Sequence, residues 1–136
     1  MRTRHLSPKT PGVPPRDSRL VSIIDDDELM RGALQGLLRE EGLPAQAFAS
    51  AEEFLRSGAQ HRSSCLILDL RLAGMSGVDL QARLNEEQIR IPMIFVTAHG
   101  DGRMRTQALR AGAADFLAKP FDDEVLLRSV RAALGF

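Results

Sequence analysis

Five polar residues stand at the ends of apolar runs. Asp25 and Asp26 follow LVSII (20–24), Asp69 lies in CLILDL (65–70), Thr97 closes IPMIFVT (91–97), and Lys119 follows DFLA (115–118). Three carboxylates, a hydroxyl and an ammonium suit metal-assisted phosphoryl chemistry, provided that they meet. Two carboxylates about 4 Å apart repel by roughly 4 kcal/mol at an effective dielectric near 20, so a gathered set needs a cation. Oxygen-only ligands with room for water and a phosphate suit Mg²⁺, with Mn²⁺ as a substitute ion. One carboxylate can then attack phosphorus as a nucleophile. The metal and Lys119 would neutralise charge on the phosphoryl oxygens.

Taken singly, each residue has a plainer account. Acids at the start of a helix suit its dipole, and charge runs are usually solvated. A threonine at a strand end is unremarkable, and a lysine is mostly exposed. Lys119 carries more weight, because it is the sole lysine among fourteen basic residues beyond residue 18. A compact, flexible point charge where every other cation is arginine points to a specific task. Other chemistries lack their signatures. The contiguous acids of DDDE do not alternate as an EF-hand requires, and neither a Walker loop nor a GxGxxG turn is present. The single cysteine, Cys65, heads the apolar run CLIL and reads as a buried, inert thiol.

The elements that must position these residues follow from pattern. With 136 residues, 43% hydrophobic and 26% charged, one domain with one ordinary core is expected. No apolar run approaches the roughly 18 residues of a membrane span, no signal h-region is visible, and a lone cysteine fits a reducing compartment. A cytoplasmic protein without membrane contact is therefore expected. Residues 1–18 carry Arg2, Arg4, Lys9 and Arg16 against Asp17, a net +3 that leaves −3 on the rest of a neutral chain. Four of the seven prolines fall there, which predicts a disordered tail and a folded unit over 19–136. That charge is too sparse to predict direct nucleic-acid binding.

Within 19–136, short apolar runs alternate with helical patterns. Strands are predicted at LVSII, AQAF (45–48), CLILDL, IPMIFVT and DFLA. Helices are predicted from Met30 to near Gly42, from the Ser50-x-x-Glu53 capping box, from Gly77, over 102–111, and from Asp122 with apolar positions Val125, Leu127, Val130 and Leu134. Central runs apolar on both faces predict a parallel sheet covered on each side, an α/β doubly wound (βα)5 three-layer sandwich with flavodoxin-like order 2-1-3-4-5. Ligands in such sheets gather beyond the carboxyl ends of the strands. That end is where all five polar residues fall.

The motifs IIDDDE, LDLRLAGMSG, IFVTAHGD and AGAADFLAKPF, with their spacing, resemble the receiver domain of bacterial two-component response regulators, FixJ-type members above all. The resemblance covers about 20–136. It implies Asp69 as phosphoacceptor, taking a phosphoryl group from a sensor histidine kinase. It implies Asp25 and Asp26 as the acidic pair for Mg²⁺, joined by Asp69 and the Arg71 backbone carbonyl. Lys119 would pair with Asp69 at rest and with the phosphoryl afterwards, across a cis bond to Pro120. Thr97 would hydrogen-bond the phosphoryl, small Ala98 would leave it room, and Phe116 would rotate inward. One departure is Ala73, where the family usually has proline. The bulky side chains of Arg71 and His99 are expected to flank the phosphoryl and tune its lifetime.

The resemblance further implies a phosphorelay module whose 102–136 face acts as a homodimer or partner surface and controls an output domain or downstream protein. Transcription regulation is implied for a longer chain. Beyond self-phosphotransfer and autodephosphorylation, no enzymatic activity is expected. The rival from another class is an aspartyl-phosphate hydrolase of small phosphoesters, although Arg71 stands where the DxD motif of haloacid-dehalogenase-type enzymes needs an acid. A purely structural binding module would show no Mg²⁺ affinity.

Overall fold

The computed structural model describes residues 19–98 and 102–136. The expected tail over 1–18 and the tuning residue His99 lie outside the described residues. Five strands, β1 (Val21–Ile24), β2 (Ala45–Phe48), β3 (Cys65–Leu68), β4 (Met93–Thr97) and β5 (Asp115–Ala118), alternate with five helices. The helices are α1 (Glu28–Glu40), α2 (Ala51–Ser57), α3 (Gly77–Glu86), α4 (Gly102–Arg110) and α5 (Asp123–Leu134), with a 3-10 turn at Ala59–His61. All strand pairs are parallel, in the order β2-β1-β3-β4-β5. This is the flavodoxin-like doubly wound fold.

Strand pleating sorts the core onto two faces, because successive side chains point to opposite sides. Ile24, Leu66, Leu68 and Phe95 pack on one face with Phe54 of α2 and Leu80 and Leu84 of α3. Ile23, Ile67, Ile94 and Val96 pack on the other with Leu34 and Leu38 of α1 and Leu126, Leu127 and Val130 of α5. Truncating any one of these large residues to alanine removes roughly 2–5 kcal/mol.

Local signals start and stop the helices. Asp27 caps α1, its side chain accepting from the Leu29 N–H, and Asp122 caps α5 through the Glu124 N–H. Ser76 and Asp79 form a reciprocal capping box on α3. At α2, Ser50 accepts from the Glu53 N–H as expected, while the Glu53 carboxylate accepts from Ala49 rather than from the cap residue.

Two expectations shift. β3 ends at Leu68 and β4 begins at Met93, so Asp69, Leu70, Ile91 and Pro92 fall outside the strand bounds. On α5, Leu126 is buried and Val125 is 39% exposed. The spacing 125-127-130-134 reads almost as well as 126-127-130-134, and the docking angle against the sheet selects the second.

Candidate functional site

The site forms beyond the carboxyl ends of β1, β3, β4 and β5, which the sheet order sets side by side. Asp25 directly follows β1 and is buried, its backbone N–H donating to the Phe48 carbonyl at 3.1 Å. Asp69 directly follows β3, also buried, with its N–H donating to the Ile24 carbonyl at 3.2 Å. The ladder thus runs one residue past each strand and delivers both carboxylates to the same level. Lys119 follows β5, and its N–H donates to the Thr97 carbonyl at 2.9 Å. The Lys119–Pro120 bond is cis.

Lys119 Nζ donates to Asp25 Oδ2 and to Asp69 Oδ2, each at 3.0 Å. The other oxygens are held locally: Asp25 Oδ1 accepts from the Asp27 N–H at 2.9 Å, and Asp69 Oδ1 from the Arg71 N–H at 3.0 Å. Burial pushes the Lys119 pKa down, but the hydrogen bonds it donates to Asp69 and Asp25, with the negative charge of both, outweigh that and hold it above the ordinary lysine value. One ammonium thus bridges two buried carboxylates and offsets one of their two negative charges, which lowers their repulsion and leaves a net negative site suited to a further cation.

The structure thus brings Asp25, Asp69 and Lys119 together. Asp26 stands beside them but is exposed, as are Ala98 and the Arg71 side chain. Thr97 is buried at the end of β4. Phe116 is already buried in the resting site, its ring centroid 6.3 Å from that of Phe95. Among the described residues, no three acidic, imidazole or thiol groups make a ready-made metal cage. The donor set still fits Mg²⁺, which keeps several waters and takes only one or two carboxylates alongside a phosphate. Every candidate metal ligand at the site is an oxygen.

Glycine shapes the loop between β3 and α3. A Cβ at Gly77 would lie 2.4 Å from the Asp69 carbonyl oxygen and 3.0 Å from the Phe95 ring, so only glycine lets α3 start against Asp69. Two contributors escaped sequence reasoning. Arg31 Nη1 donates to the Asp25 carbonyl at 2.8 Å, steadying the acidic turn from α1; no local pattern flags it. Glu52 reaches the β3–α3 loop from α2. Its signal was visible, since the capping box uses Glu53 and leaves Glu52 without a local task.

The fold, with its acids and lysine gathered beyond the carboxyl ends of the strands, is that of a receiver domain. The chain belongs to the response regulator receiver domain family, whose model matches residues 21–131. It is 48% identical over 114 residues to nodulation protein W of Bradyrhizobium diazoefficiens, covering 84% of this chain and 50% of that protein. It is 40% identical over 119 residues to transcriptional regulatory protein FixJ of Azorhizobium caulinodans, covering 88% and 56%. The chain spans about half the length of these curated relatives. Among solved structures, FixJ-N matches with a TM-score of 0.77 at 40% identity, covering 85% of this chain and 92% of that one. Full-length FixJ from B. japonicum matches at 0.78 and 34%, covering 85% and 57%. The domain is a FixJ-like receiver of a two-component system. Among the described residues, no helix is long and apolar enough to cross a membrane.

Proposed function

We propose that this receiver is switched by transfer of a phosphoryl group from a sensor histidine kinase to Asp69. The observation that carries the reading is the shared ammonium, with Lys119 Nζ 3.0 Å from both Asp25 and Asp69. In the step, one Asp69 carboxylate oxygen bonds to phosphorus and the phosphorus–nitrogen bond of the phosphohistidine breaks. Its electron pair stays on the departing imidazole, which solvent protonates. Lys119 exchanges a carboxylate oxygen for phosphoryl oxygens and so follows the charge.

Asp25, Asp26, Asp69 and the Arg71 carbonyl are the oxygens that would hold Mg²⁺, or Mn²⁺ in its place. When bound, the ion supplies charge neutralisation for the phosphoryl oxygens. Thr97 donates its hydroxyl to the phosphoryl, Ala98 leaves it space, and Phe116 reports the change by its packing. The 102–136 face then engages a second copy, an output domain or a downstream protein, a two-state response to a local charge. Transcription control by a longer chain and a cytoplasmic location belong to the same reading. On this reading the bulky Arg71 side chain slows attacking water, and the sequence position of His99 gives it the same role. R71A and H99A should both lose label faster than wild type, and an unchanged dephosphorylation rate would remove that part.

The test is labelling by acetyl phosphate with Mg²⁺, read by phosphate-affinity electrophoresis for the wild type and D69A. One stable phosphoryl group per wild-type chain and none on D69A is expected. Sustained turnover of a generic phosphoester would support the hydrolase instead.

A further inference from the structure

Glu52 and Glu53 stand side by side in the first turn of α2, and they face different tasks. Glu53 serves its own helix, accepting from the Ala49 N–H at 3.0 Å while its N–H donates to Ser50. Glu52 reaches 23 residues along the chain, where its Oε2 accepts from the Met75 N–H at 2.8 Å. The neighbouring Gly74 has φ +78°, and a Cβ there would lie 2.6 Å from that same oxygen. Glycine at 74 thus serves both the backbone and the approach of the carboxylate. Met75 packs against the core beside it.

The loop held this way carries the phosphoryl site. It leaves Asp69, whose Oδ1 accepts from the Arg71 N–H. It rejoins the fold at Gly77, whose N–H donates to the Leu70 carbonyl at 3.0 Å. Between these points run residues 70–76, LRLAGMS, with no proline to restrain φ. The Met75 N–H holds the Glu52 carboxyl below the usual carboxylate range, with its own backbone N–H and Arg56 adding to the effect. The acceptor is therefore charged at neutral pH, which strengthens the bond.

We propose that Glu52 is a positioning residue for phosphoryl transfer: from α2 it locks the β3–α3 loop and, through it, sets the Arg71 carbonyl and the Asp69 carboxylate. This rests on the phosphoacceptor reading above, but its structural half can be measured separately. It also gives the alanine at position 73 a consequence. A loop lacking its own rigid residue takes its order from a side chain on a neighbouring helix.

The experiment combines amide hydrogen exchange with acetyl phosphate labelling on the full chain, for wild type, E52A, E52Q and D69A. In wild type the Met75 amide should be protected. In E52A it should exchange about 10-fold faster or more, as expected for loss of a hydrogen bond to a charged group. E52Q, whose amide oxygen can accept the same bond, should recover much of the protection. The Mg²⁺ concentration for half-maximal labelling should rise several-fold in E52A and fall back in E52Q, with the final extent of labelling unchanged. D69A should lose label yet keep Met75 protected.

Exchange of the wild-type Met75 amide at an open-loop rate would overturn the proposal, even if E52A failed to fold. So would labelled E52A with wild-type exchange and Mg²⁺ dependence, or E52Q no better than E52A. A wild type that takes no label would instead overturn the phosphoacceptor reading, and with it the link from Glu52 to the site.

Discussion

Lys119 holds together two buried carboxylates that would otherwise repel, and its removal exposes that repulsion. In K119M, stability at neutral pH should fall by about 1–3 kcal/mol, the cost of leaving buried charged groups unsatisfied. Added Mg²⁺ should restore part of it. Urea unfolding with and without the ion measures both effects, and labelling of Asp69 should drop at least tenfold. K119R should not rescue, because a planar guanidinium cannot replace a compact ammonium between two acids. The pH dependence follows from the raised pKa of Lys119. Its stabilisation is fully present below 10.5 and is lost as pH rises through the higher folded value. The stability gap between wild type and K119M should therefore persist at neutral pH and narrow as pH rises into alkali.

At the level of loops and helices, glycines of different surroundings separate two effects. Gly77 meets backbone and ring atoms, none of which can swing aside. G77A should cost about 2 kcal/mol or more, in the range of overpacking, and should slow labelling by displacing the Asp69 carbonyl. Gly32 and Gly36 sit in α1 with nothing within 4 Å of an added Cβ. G32A and G36A should each stabilise by about 0.5–1 kcal/mol and leave labelling unchanged, as measured by urea midpoints. The contact from Glu52 titrates in the opposite sense from Lys119. Its pKa is lowered from 4.5, so its stabilisation is present above 4.5 and is lost as pH falls through the folded value. The groups that act on this carboxylate are the Met75 N–H, its own N–H and Arg56. The stability difference between wild type and E52Q should vanish on the acid side, as checked by urea titration from pH 6 to pH 3.

Across the whole domain, the site and the 102–136 face meet where β4 pairs with β5. Thr97 ends β4 in the site and pairs with Ala118 of β5, and Phe95 of β4 pairs with Phe116. A change at the phosphoryl position thus has a short, packed route to the α4–β5–α5 surface. T97A should still accept a phosphoryl group on Asp69 but should transmit less. Amide chemical-shift changes over 102–136 on labelling, and any shift toward dimer in sedimentation, should be smaller than in wild type. Phe116 is already buried before any modification.

Much of this was readable from residue order. Alternating apolar runs and capped helical patterns define five strand–helix units, and hydrophobicity on both pleat faces demands a covered parallel sheet. Chain topology then places every strand-ending polar group at one end, so Asp25, Asp69, Thr97 and Lys119 could be grouped without coordinates. Periodicity is a local property and survives in one dimension. Distances between segments are not. Only packing shows that Lys119 bridges Asp25 and Asp69, that Asp26 faces outward, that Leu126 rather than Val125 enters the core, and that Glu52 reaches Met75. Each of these depends on how helices rotate and dock against the sheet, an angle that a stripe of apolar residues leaves open by tens of degrees.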